Sequence, residues 1–160
     1  LCPSSRGSQS WGDPAHASVA APGKRPRLTP NPSMAMRKGE FLMPFGSPGG
    51  DLQPQGMLQA LVNHQVFGMD IQQAVEAPRF ITRNFPDSFE PHTYYPGRLD
   101  LEQAIGQPTG DALGTIGHKV SWLPDLSLKT ASVCAVSADL RRGKLYGAAD
   151  PRRTGRAMGW

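Results

Sequence analysis

The chain has 160 residues, and its Gly 18 and Pro 16 make up about a fifth of it, against ~12% in an average protein. A hydrophobic fraction of 38%, with no apolar run near ~18–20 residues, excludes a membrane-spanning helix, a coiled coil and a collagen-like repeat. The net charge of +4 rests on Lys24, Arg25, Arg27 and arginines near the C-terminus that flank turns, without the interleaved aromatics of a nucleic-acid surface, so neither nucleic acid nor membrane is expected as a partner.

Residues 1–32 are rich in Pro, Gly and Ser and almost free of periodicity, so they are expected to lie extended along the rest of the molecule. Residues 33–38 and 41–45 alternate around Lys38, Gly39 and Glu40, which predicts a hairpin, and Pro44 predicts that its second strand lies at an edge or stops there. Gly46, Ser47, Pro48, Gly49, Gly50 and Asp51 then form a tight loop running directly into a helix. Met57, Leu58, Leu61, Val62 and Val66 share one face of that helix, Pro54 is tolerated in its first turn, and Gly68 stops it. Asp70 and Gln73 predict a capping box opening a second, short helix that ends near Ala77, ahead of Pro78.

Residues 79–97 are aromatic and punctuated by proline, and read as an irregular connection. Residues 99–117 hold one or two weak helical turns broken at Gly106 and Pro108, and 118–123 read as a short strand. A second hairpin is expected over 132–140 and 145–148, turning at Arg142, Gly143 and Lys144. Cys134 falls inside this alternation and reads as a small core residue.

Chemistry is sparse. Cys2 and Cys134 form no CxxC pair, and His16, His64, His92 and His118 have no ligand-spaced companions, so no metal or cofactor is expected. His64 reads as a surface or capping histidine. Ser47 lacks the Gly-x-Ser-x-Gly context of a nucleophile elbow, and no acid/base pair stands out among the carboxylates. The loop at Gly49 and Gly50 is the informative feature. Two residues without Cβ let backbone amides converge on an anion, and the helix that follows adds its positive end. A phosphate, a carboxylate or a developing oxyanion all suit it, and it matches neither a Walker loop nor a dinucleotide fingerprint.

As a set, the motifs are more specific. PGKRP at 22–26, Asn31 with Pro32, PFGSPGG at 44–50, FGMDIQQAVEAPR at 67–79, GHKV at 117–120 and GAADPR at 147–152 resemble the C-terminal part of a gamma-glutamyltransferase (gamma-glutamyltranspeptidase) small subunit. The likeness runs from about Arg6 to the end, nearest the bacterial branch in which some members are labelled acylases. It implies an α+β chain: strands, a helix pair and hairpins forming an incomplete part of the αββα sandwich of N-terminal-nucleophile hydrolases. Residues 1–32 would line the substrate pocket, and 33–160 would be the small-subunit core.

The resemblance also implies a reaction. A threonine freed by self-cleavage attacks a gamma-glutamyl amide such as glutathione, and the acyl-enzyme passes to water or to an amino acid or peptide acceptor. Gly49 and Gly50 correspond to the glycines whose amides hold the oxyanion. Leu28 and Thr29 stand where typical members have a serine pair for the donor's α-carboxylate. Arg6 to Gln9 lies where the donor's α-amino group is held, with Gln9 in place of a charged partner and Ser5 in place of a usual asparagine. These departures open the way to a broader amide acylase.

In the family the nucleophilic threonine lies upstream of the position of Leu1, so this chain is expected to lack it, to need the N-terminal large-subunit portion, and to be inactive alone. Cys2 matches no family nucleophile, and Pro3 stiffens its surroundings. An inactive remnant and a small anion-binding module are the other readings. Family members occur both inside and outside the cell, which leaves the compartment open.

Overall fold

The computed structural model describes residues 5–159. Two sheets form its frame. The larger has the order β1-β2-β6-β7, built from β1 (Ser33–Arg37), β2 (Phe41–Gly46), β6 (Cys134–Asp139) and β7 (Lys144–Ala149), with every neighbouring pair antiparallel. The smaller has the order β3-β4-β5, from β3 (Phe80–Thr82), β4 (Arg98–Glu102) and β5 (Lys119–Leu123). Here β4 and β5 run parallel, joined by the crossover helix α3 (Gln107–Thr115).

Helices α1 (Gln53–Gln65) and α2 (Ile71–Glu76) cover one face of the larger sheet. The core beneath them joins Met43, Met57, Ala60, Ile71, Val75, Val133, Ala135 and Ala148. No helix or strand covers the opposite face among the described residues, although the C-terminal segment passes over it at Gly147 and Ala149. Met36, Leu42, Ala138 and Leu145 line up across it strand by strand, with Met36 and Leu145 about three-quarters exposed at 72% and 75%.

Most local expectations hold. Gly39 turns the first hairpin and Gly68 ends α1, both with positive φ. Asp70 accepts from the Gln73 amide at 2.8 Å while the Gln73 side chain accepts from the Asp70 amide at 3.3 Å, the reciprocal capping box expected at α2.

Five expectations need correction. Pro44 lies on an interior strand, because β2 is flanked by both β1 and β6. The β2–β6 ladder skips Met43 and Pro44, so the missing N–H is accommodated by a gap in pairing. Strand β4 occupies the start of the 99–117 stretch where only weak helical turns were expected, and β3 lies inside the stretch read as irregular. Cys134 is exposed: the register puts Ala135 toward the helices and turns Cys134 and Val136 outward. Within 1–32, residues Ser5–Gln9 coil into a 3-10 turn instead of lying extended.

A buried ionic lattice ties the two sheets together. Arg79, 0% exposed, pairs with Asp150 at 2.7 Å. Arg152 reaches Asp150 at 3.1 Å and also donates to Glu102 at the end of β4, with Nε 2.8 Å from Oε1. It further caps the carbonyls of Val75 and Ala77 at 2.9 and 3.0 Å, satisfying the C-terminus of α2.

Candidate active site

The glycine turn sits between β2 and α1. Gly49 (φ 133) and Gly50 (φ 59) both lie in the left-handed region, where an L side chain is strained. Neither amide donates a hydrogen bond to a protein acceptor among the described residues. The turn is anchored from behind by Ser47, whose Oγ donates to the Pro48 carbonyl at 2.7 Å and accepts from the Ser132 amide at 3.0 Å.

A cleft of about 670 Å³ opens beside this turn. Gly50, Asp51, Gln53 and Pro54 form one side, Gln9, Trp11, His16 and residues 27–31 a second, and residues 85–88 a third. Loop 87–92 holds these parts together. Its Ser88 amide donates to Asp51 at 2.6 Å, its Ser88 Oγ accepts from Gln9 Nε2 at 3.2 Å, and its Glu90 amide donates to the Ser8 carbonyl at 2.7 Å. A Cβ added at Gly50 would stand 3.0 Å from the Phe89 ring, which would have to shift to admit it.

Trp11 adds a rigid element. Its ring centroid is 3.9 Å from that of His16 and 4.0 Å from that of His92, with planes tilted by only 14° and 7°. Two rings centred so close cannot share one face, so the indole is sandwiched between two imidazoles. His16 Nδ1 accepts from the Ser18 amide at 3.0 Å, which fixes that ring's orientation.

The candidate residues divide accordingly. Gln9, Leu28, Thr29 and Gly50 line the cleft together. Gly49 lies immediately behind Gly50, and Arg6 stands one step back, donating to Gln9 Oε1 at 3.2 Å. Gln9 is 2% exposed and engaged at both ends of its amide. Leu28 is 75% exposed, and the Thr29 hydroxyl has no protein partner among the described residues. No cluster of three metal-ligating side chains occurs among the described residues.

A family model described as Gamma-glutamyltranspeptidase matches residues 2–160. The chain belongs to the gamma-glutamyltranspeptidase family. It is 32% identical over 149 residues to the oxamate amidohydrolase proenzyme of Klebsiella pneumoniae, covering 92% of this chain and 27% of that protein. It is likewise 32% identical over 136 residues to the glutathione hydrolase proenzyme of Escherichia coli, covering 85% of this chain and 21% of that protein. The solved structure of LmbA2991HD superposes with a TM-score of 0.81 at 36% identity, covering 90% of this chain and 25% of that one.

The chain thus spans about a quarter of the length of these gamma-glutamyltranspeptidase relatives, and it corresponds to the C-terminal part of the small subunit. Its α+β architecture is that of a piece of the N-terminal-nucleophile hydrolase fold.

Residues that sequence reasoning passed over are as telling as those it found. Arg27, Asp51, Asp87 and Ser88 join the cleft, yet they come from three segments far apart in the chain. His64, read as a surface or capping histidine, meets the Met69 carbonyl just beyond α1 with Nδ1 at 2.8 Å, and its Nε2, 3.1 Å from Ser137 Oγ, also ties α1 to β6.

Behind the turn, electrostatics are set by the lattice. Burial pushes the Glu102 carboxyl up, but hydrogen bonds from Arg152, Thr130 and the Arg79 amide outweigh it and hold it below its usual value. Burial also works against the Arg152 cation, yet Glu102 and Asp150 raise its affinity for the proton. For Arg79, burial wins over the attraction of Asp150 and the pKa is lowered.

Proposed function

We propose that this chain supplies the oxyanion-stabilising turn and one wall of the acyl pocket to an amidohydrolase or acyltransferase of the gamma-glutamyltranspeptidase family. The observation that carries this reading is the open pair of amides at Gly49 and Gly50, held at positive φ beside a cleft lined by Gln9 and Thr29. A nucleophile from outside these 160 residues, the family's threonine, attacks the amide carbonyl of the donor. The carbonyl carbon becomes tetrahedral, and its oxygen takes the negative charge that the two N–H groups receive. Collapse of this intermediate breaks the C–N bond, the leaving nitrogen takes up the proton given up by the threonine hydroxyl and departs as the amine, and the acyl ester left behind is resolved by water or an amino-group acceptor.

Donor choice follows from the cleft. In the gamma-glutamyl reading the acyl group is that of a glutathione-like donor, with residues 1–32 forming the pocket wall and 33–160 the core. Gln9 is already committed to Arg6 and Ser88, which leaves it little capacity for a donor ammonium group. Leu28 offers no hydroxyl to a carboxylate, while Thr29 still does. The site therefore fits amides beyond gamma-glutamyl ones, and two relatives of equal identity are named for oxamate and for glutathione.

The test is reconstitution. The chain is combined with the N-terminal portion of a family member and assayed on gamma-glutamyl anilide, oxamate and a glutaryl amide. Turnover should appear, and Gly50→Ala should lower kcat by about 10²–10³. Restored turnover indifferent to that substitution removes the oxyanion role, and no turnover with any partner portion favours an inactive remnant.

A further inference from the structure

Burying two arginines and two carboxylates is an expensive way to hold two sheets together, because well-packed apolar residues do so as well or better. What these four side chains grip explains their presence. Between the 3-10 turn Leu128–Thr130 and strand β6 the chain lies outside any ladder, and the lattice supplies its hydrogen bonds. Glu102 Oε1 accepts from the Ser127 amide at 3.0 Å and from Thr130 Oγ1 at 2.8 Å. Arg79 Nη1 donates to the carbonyls of Thr130 and Ala131 at 3.2 and 3.4 Å. Asp150 Oδ2 accepts from the Val133 amide at 2.9 Å.

The segment so held forms the back wall of the glycine turn. Ala131 is kept at φ 68, a left-handed conformation that an alanine adopts only under external constraint. Its Cα lies 3.5 Å from where a Gly49 Cβ would be, and the next amide, that of Ser132, is the one bound by Ser47. We propose that Arg79 and Glu102 are positioning residues for the Gly49–Gly50 turn, acting through Thr130, Ala131 and Ser132. Its catalytic meaning rests on the oxyanion reading above, whereas the positioning itself is a property of the turn and can be measured without any reaction.

The experiment uses the full chain with 15N-labelled glycine and follows the Gly49 and Gly50 amides by NMR and hydrogen exchange. Thr130→Val removes one hydroxyl from the lattice, and Arg79→Lys keeps the charge but loses the guanidinium fork. Ile81→Val, a buried change in β3, serves as the comparison for general loss of stability. Both lattice variants should shift the two glycine resonances and speed their exchange by about tenfold beyond the change in global unfolding. Ile81→Val should leave the pair where it is. Glycine resonances that stay put in the folded lattice variants, or that move equally in Ile81→Val, overturn the assignment. If Arg79→Lys does not fold, Thr130→Val decides alone. Failure here leaves the Gly50→Ala result on reconstituted enzyme standing, and the reverse also holds.

Discussion

Gly56 on α1 faces Ala131 so closely that a methyl group at position 56 would stand 2.8 Å from the Ala131 Cβ and 3.1 Å from the Thr130 carbonyl oxygen. The missing side chain is what lets the helix after the glycine turn approach the segment behind it. Gly56→Ala should therefore destabilise the chain by about 1–3 kcal/mol through overpacking, despite alanine's better helix propensity. Urea unfolding checks the sign: a gain in stability would mean that the segment yields easily.

A second glycine makes a similar case in the smaller sheet. A Cβ at Gly110 on α3 would fall 2.3 Å from Trp122 Cζ2, inside the indole of β5. Gly110→Ala must displace the indole or lift α3, at a cost of about 1–3 kcal/mol. Tryptophan emission should shift red in this variant and not in the same change made on a Trp122→Phe background.

Acid sensitivity follows from Glu102. Its carboxyl is buried, which by itself favours the neutral acid, but bonds from Arg152, Thr130 and the Arg79 amide hold its folded-state pKa below the unfolded one. The stability it contributes is complete above the ordinary glutamate range and is lost as the pH falls through the depressed native value. Glu102→Gln leaves two buried arginines facing Asp150 alone and should cost about 3–5 kcal/mol near neutrality. It should also flatten the acid limb of a stability-against-pH curve. An unchanged acid limb would place the titration elsewhere.

On the oxyanion reading proposed above, the 160-residue chain should hydrolyse no gamma-glutamyl anilide when assayed alone, since that reading takes the attacking threonine from outside these residues. Colorimetric release of the aniline is the measurement. Measurable turnover abolished by Cys2→Ala would overturn this expectation and move the chemistry to a residue outside the described ones.

Legibility in the sequence tracked locality. The capping box at Asp70 and Gln73, the stop at Gly68 and the turn at Gly39 each need only a few neighbouring residues, and each formed where expected. Strand β4 was hidden because Asp100 and Glu102 read as polar positions. Both are 1% exposed, neutralised by arginines whose proximity no local pattern announces. Cys134 misled for the opposite reason. Its apolar alternation has the right period, but which phase faces the helices depends on the pairing of Gly46 with Cys134 and of Ala135 with Ala148. The glycine turn was visible from its own residues, whereas the cleft beside it depends on contacts such as Gln9 to Ser88, 79 positions apart.

The row of Met36, Leu42, Ala138 and Leu145 across the open face of the larger sheet governs how the molecule behaves as a colloid. A face of this kind associates with copies of itself as the solution warms or as sulfate is added, since both strengthen the drive to hide apolar surface. Heating the isolated chain will then end in turbidity rather than a reversible baseline, with a midpoint that drifts with scan rate and concentration.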